Sequence, residues 1–267
     1  MLRYNIESSM DKEFKNYISE KEKLTRIISL GIEISQRVSG RIENQKKGNA
    51  TILFTRMCTT SVSIIKLSPE KINSHWDCTS LFSFARNLIE IYHTFFYFCI
   101  EDITNEEWEL RKLVFNLHEN KSRADMLFYL VNEDKDQGIE NEKALKKEIK
   151  KNEFFIQLHP KKQKYLLKGN TAFIVARETI EERMGNDKNT FKGLYKFLSN
   201  QIHSFPMSFT RMTEHQKGKG IASEVEINYS YTALEQSVNY YLEACLNMID
   251  LFPELKSDFE EKLRREL

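Results

Sequence analysis

Glycine and proline are scarce in this chain, nine and four among 267 residues. β-sandwiches and barrels turn often and draw on those two residues at the turns, so an all-β architecture is excluded. No glycine-rich loop suited to cradling phosphates occurs, which argues against a Rossmann or P-loop enzyme and predicts no dinucleotide cofactor. Four cysteines, Cys58, Cys78, Cys99 and Cys245, show no C-x-x-C spacing. They read as buried free thiols, neither a disulfide frame nor a zinc site. Charge of one sign is also lacking. Forty basic against 39 acidic residues leave +1, so the whole-chain field does not announce a polyanionic partner. Long apolar runs are missing too. The longest, Leu88 to Ile100, is interrupted by Glu90 and His93 and is too short to span a bilayer. The first residues, MLRYNIESSMDKEF, carry acids early and do not resemble a signal peptide. A cytoplasmic, bacterial-type protein with no membrane partner is the expectation.

What is present is helix. Hydrophobic residues make up 40% and aromatics 12%, enough for a sizeable core. Phe14, Ile18, Ile27, Ile28 and Ile34 fall at helical spacings over 10–39, with Gly40 near the end. Further helices are predicted over 51–67 (stopped by Ser68-Pro69), 78–101 (N-capped by Asp77) and 104–130 (opened by Thr104-Asn105-Glu106-Glu107). Shorter pieces follow near 153–158, 162–168 and 171–184, then helices over 189–203, 229–250 and 253–266. Residues 132–152 read as a polar insertion and 208–220 as a loop. Ile221–Tyr231 alternates briefly and reads equally as a strand without a partner. The expected fold is all-α, an irregular multi-helix bundle over 48–267 preceded by an N-terminal helical arm over 1–47.

The helix SLFSFARNLIEIYHTFFYFCIE is the most informative. At about 100° per residue, Ser83, Arg86, Glu90, His93, Tyr97 and Glu101 form one narrow polar stripe on an otherwise apolar cylinder. Arg86–Glu90 is an ordinary i,i+4 pair on one reading and, with His93, the nucleus of a polar site on the other. Glu90-x-x-His93 also has metal-ligand spacing, but none of the other five histidines is preceded by the second Glu-x-x-His that a dinuclear bundle needs, so no metal is expected. In NTFKGLYKFLSNQIHSFP, Ser199 and His203 are i,i+4 neighbours on the side of Lys192 and Lys196. No G-x-S-x-G elbow accompanies them, and His203 reads equally as the closing residue of its helix. Nine lysines face only Glu148 and Glu153 over 143–168, with Phe154, Phe155, His159 and Tyr165 interleaved. This is either a solvated face or an RNA-binding patch.

Arg86-Asn87-Leu88-Ile89-Glu90-Ile91-Tyr92-His93 is similar to the R-x6-H motif of HEPN-superfamily ribonucleases, in which a polar residue often follows the arginine. Arg111 to His118 has the same spacing. The first is preferred because it lies on the polar stripe and carries Asn87. The pairing of Ala85-Arg86-Asn87-Leu88-Ile89-Glu90 with Tyr195-Lys196-Phe197-Leu198-Ser199-Asn200-Gln201-Ile202-His203 resembles an uncharacterised all-helical bacterial family known only as a domain of unknown function. That resemblance covers about 50–250, leaves the first helix outside, and implies that Arg86, Glu90, Ser199 and His203 converge.

The expectation drawn from both is a metal-independent, HEPN-like endoribonuclease in a defence or toxin–antitoxin setting, with RNA and a second copy of the chain as partners. His93 or His203 is the general base, Arg86 stabilises charge on phosphate, Glu90 orients Arg86 or His93, and Ser199 hydrogen-bonds His203. Asn87, Tyr97, Lys192 and Lys196 are the expected substrate-binding residues. The rival expectation is a non-catalytic helical interaction module, in which the same pairs fix helix register and the first helix mediates oligomerisation.

Overall fold

The structure, a computed structural model, describes residues 2–41, 43–131, 138–203, 205, 206, 208 and 218–267. Among these residues there are eleven α-helices and no strand. The chain divides into two compact units, Met1–Ile100 with Met184–Leu267, and Glu101–Arg183. The expected boundary near 47 is not where it divides.

The first unit contains α1 (Leu2–Val38), α2 (Gln45–Leu67), α3 (Cys78–Phe95) with a π-helical turn at Phe96–Ile100, α9 (Lys188–Ile202), α10 (Glu224–Leu251) and α11 (Lys256–Arg264). α10 is its hub, packing on α1, α2, α3 and α11. The helix expected as an arm is core instead. Tyr17, Leu24, Ile27, Ile28, Ile34 and Val38 are buried, and such a stripe has to be covered by something. Here α10 and α2 cover it. Arg26 clasps Glu266 through two contacts of 2.9 Å, and Arg37 and Arg41 pair with Asp258 and Glu254.

The caps lie where the sequence puts them. Asp77 accepts from the Ser80 amide at the start of α3, and the Ser68 amide closes α2 on Ile64. Residues 221–231 are not a strand. Ser223 accepts from the Glu226 amide, and Glu224 and Glu226 place negative charge on the first turn of α10, where a helix N-terminus favours it. Most of the loop expected over 208–220 lies outside the described residues. Its end is held by the Gly220 carbonyl, which accepts from the Trp76 amide at 3.2 Å. Gly220 has φ +74°, and a Cβ there would lie 2.9 Å from the His75 ring, so the position demands glycine.

All four cysteines are buried and unbridged. Burial raises the Cys58 and Cys245 thiols above their ordinary range and pushes Cys99 up to about 12, which makes them poor nucleophiles. Cys58 accepts the Tyr241 hydroxyl at 3.1 Å, and that hydroxyl fills the space beside Gly31. A methyl at Gly31 would overlap it and sit 2.7 Å from the Tyr241 ζ carbon.

The second unit comprises α4 (Asn105–Val131), α5 (Ile139–Lys151), α6 (Glu153–Gln157), α7 (Pro160–Leu166) and α8 (Arg177–Arg183). Thr104 accepts from the Glu107 amide, as the capping pattern predicts. Leu110, Val114 and Leu117 of α4 are buried, as are Ile149, Phe155, Leu166 and Ile180. Of the polar insertion, residues 132–137 lie outside the described residues and the remainder is mostly α5, an exposed helix.

Gly31→Ala forces α1 away from Tyr241. Overpacking of this kind costs about 1–3 kcal/mol, so the urea midpoint falls with the denaturant slope unchanged. An unshifted midpoint would mean that α1 and α10 do not approach this closely.

Candidate functional site

α9 crosses the polar stripe of α3, running antiparallel to it. Arg86 lies by His203 and Tyr195, Glu90 by Tyr195, and His93 by Phe191. The crossing is fixed from below by aromatic rings. Phe82 and Phe197 meet edge-on at 5.3 Å, and Tyr229 of α10 closes the triangle at 5.1 Å from Phe197 and 5.7 Å from Phe82. Asp187 caps α9 by accepting from the Thr190 amide and hydroxyl, both at 2.7 Å. These bonds hold its carboxyl below the usual range.

At the upper end of this crossing four side chains meet. The Arg86 Nε donates to Glu90 Oε1 at 3.1 Å, one terminal nitrogen donates to the Tyr195 hydroxyl at 2.7 Å, and the other lies 3.3 Å from His203 Nε2. An arginine only donates, so in this arrangement the imidazole nitrogen accepts. Tyr195 in turn donates to Glu90 Oε1 at 2.6 Å, and the guanidinium carbon stands 4.7 Å over the tyrosine ring. The cluster is open to solvent. The side chains of Arg86 and Glu90 are 21% and 34% exposed, and His203 is exposed at the end of α9.

The lower half of the stripe is sealed. His93 is 1% exposed, with Phe191 edge-on at 5.2 Å and Tyr240 at 6.2 Å. A base so enclosed does not reach a substrate hydroxyl, and the expectation that His93 serves as one is corrected. Tyr97, expected to bind substrate, is 1% exposed in the π-helical turn against Phe98. Periodicity on one helix does not show these covers: α9 and α10 close over His93, and the turn that holds Tyr97 packs on α2. Ser199 does not hydrogen-bond His203 as expected. Its hydroxyl goes to the Tyr195 carbonyl at 2.7 Å, and its own carbonyl accepts from the His203 amide, so His203 also closes the helix. Asn87 is half-buried, whereas Lys192 and Lys196 are exposed on α9. Tyr195 is the member that sequence reasoning left out of the site. The signal was available, since it heads the Tyr-x-x-Leu-Ser-x-x-x-His pattern and lies eight residues before His203, about 80° round the helix.

The second R-x6-H match has a different fate. Arg111 is fully buried in the second unit, 2.6 Å from Glu107 and 2.7 Å from Glu101, and Arg183 pairs with the same two carboxylates at 3.3 and 2.7 Å. His118 donates to the Gly169 carbonyl at 3.0 Å. This is internal scaffolding. The lysine-rich stretch reads largely as a solvated face, with Lys143, Lys146 and Lys151 paired to Glu140, Glu142 and Glu148 within α5. Among the described residues no group of three or more His, Cys, Asp or Glu gathers to hold a metal, and no helix is long and apolar enough to cross a membrane.

The profile of the Family of unknown function (DUF5677) matches residues 50–221, and the chain belongs to that family. The match takes in every member of the Arg86–Glu90–Tyr195–His203 cluster. It leaves out α1, as expected, and ends before α10, short of the expected limit near 250. Comparison with curated proteins and with solved structures gives no match.

Arg111→Ala removes the fully buried cation that Glu101 and Glu107 share and leaves them only the partly exposed Arg183. Breaking a buried pair in this way costs about 3–5 kcal/mol, so amide protons of α4 and α8 should exchange faster. Unchanged protection there would contradict the ion network as an internal support.

Proposed function

We propose that the chain is a metal-independent, HEPN-like endoribonuclease whose site is Arg86, Glu90, Tyr195 and His203. One observation carries the reading. A guanidinium and an imidazole from helices 117 residues apart in sequence meet at 3.3 Å where solvent reaches both. An i,i+4 ion pair on a helix surface contributes only about 0.3–0.5 kcal/mol, so stability alone does not account for the Arg86–Glu90 pair. The cluster suits a phosphodiester. Histidine takes and returns a proton near neutral pH, and arginine offers a planar fork to phosphate oxygens.

The geometry supports a sequence of events. An arriving phosphate draws the guanidinium away from His203 Nε2, and the lone pair released there accepts the proton of the ribose 2′-hydroxyl. The 2′-oxygen forms a bond to phosphorus, and the bond from phosphorus to the 5′-oxygen breaks. That oxygen takes a proton from water on the open side, leaving a 2′,3′-cyclic phosphate and a 5′-hydroxyl. Arg86 neutralises charge building on the phosphoryl oxygens, while Glu90 and Tyr195 hold the guanidinium in place. Lys192 and Lys196 supply positive charge along α9 for the flanking phosphates. A defence or toxin–antitoxin role is the setting in which such an activity is useful to a bacterial cell.

Single-stranded RNA incubated with the protein in EDTA is expected to yield cyclic-phosphate ends. His203→Ala should lower kcat/KM by about 10²–10⁴-fold, the range of a general base, and Arg86→Ala comparably. His93→Phe, which keeps a ring against Phe191, should cleave like the wild type. Absence of metal-free cleavage, or equal cleavage by all three variants and the wild type, would leave the chain a non-catalytic helical module.

A further inference from the structure

We infer that Phe205 is the base-stacking platform of this site, and that the substrate is therefore single-stranded RNA with one unpaired base laid on that ring beside the phosphodiester held by Arg86. The inference rests on the nuclease reading and names the substrate form it requires. Phe205 is a large apolar side chain left 48% exposed, directly after the helix that carries the site. Its ring centroid is 5.4 Å from that of His203, tilted by 40°, and His203 is the imidazole in contact with Arg86.

The Phe205 carbonyl is engaged within its own turn. Pro206 follows it and disfavours helical geometry at Phe205. The amide and hydroxyl of Ser208 both donate to the Phe205 carbonyl, at 2.8 and 2.9 Å, and Ser208 itself is buried. The carbonyl is thereby tied to Ser208 while the ring stays half in solvent, where a flat apolar partner would cover it. A nucleotide carries a flat base one sugar away from its phosphate, and the site offers a flat ring one residue pair away from its guanidinium. Every base has such a face, so the platform selects for unpaired strands rather than for sequence. Bases stacked inside a duplex cannot present theirs.

The test is steady-state cleavage in EDTA of one mixed-sequence RNA oligonucleotide, single-stranded and annealed to its complement, by wild type, Phe205→Ala, Phe205→Leu, Phe205→Trp and Arg86→Ala. The expected result is that Ala and Leu raise KM for the single strand about 5- to 150-fold, the fold-change that corresponds to loss of one base–aromatic stack. Trp should keep KM near wild type, kcat should change little in all three, and the duplex should be a poor substrate whose KM does not respond. Phe205→Leu preserves an apolar side chain, so a KM raised by Ala but not by Leu would assign Phe205 to packing and overturn the inference. Wild-type KM in both variants, with Arg86→Ala inactive, would overturn it while leaving the nuclease reading in place. No Arg86-dependent cleavage of either substrate would overturn both.

Discussion

The contact between the Arg86 guanidinium and the end of α9 is the interaction on which the functional account depends. One planar cation touches a carboxylate from its own helix and a phenol and an imidazole from another. Because the donors of arginine lie in a fixed fork, satisfying all three partners sets the rotation of α3 and the axial position of α9 together. The aromatic triangle of Phe82, Phe197 and Tyr229 supplies the apolar grip beneath. Packing brings the two helices together, and the guanidinium determines which polar groups meet where they cross.

Two arginines in this chain head the same R-x6-H spacing, and comparing them shows how environment separates structure from chemistry. Arg111 is sealed among carboxylates, where a cation without partners is costly and a paired one is fixed. Arg86 is reachable from solvent and leans on an imidazole, which returns little stability for holding a charge there. Evidence of this kind does not come from spacing. It comes from what surrounds each guanidinium, and it favours Arg86 as the group free to exchange a partner for a ligand.

Much of this was legible in the residues. Helix positions followed from periodicity and from caps such as Asp77, Thr104 and Ser68, because local hydrogen bonding decides where helices begin and end. The family pattern brought Arg86, Glu90 and His203 to one place. What the sequence concealed was tertiary. A polar stripe on an isolated helix does not say which part a neighbour will cover: α9 and α10 cover His93, and Tyr97 is buried in the π-helical turn that packs on α2. The apolar stripe of α1 does not say whether its cover comes from α10 or from another chain, which is why a core helix read as an arm. Ser223 followed by two early glutamates marks the start of α10, a helical signal that outweighs the short alternation beginning at Ile221.

The proposed chemistry requires that a phosphodiester take Arg86 away from His203. Nitrogen-15 NMR of the imidazole side chains, recorded while uridine 2′,3′-cyclic phosphate is titrated in, observes that exchange at the atom concerned. His203 Nε2 is expected to shift saturably as its arginine partner is withdrawn, with no shift in Arg86→Ala and none at His93. A His203 resonance indifferent to the nucleotide, or a response centred on His93, would contradict it.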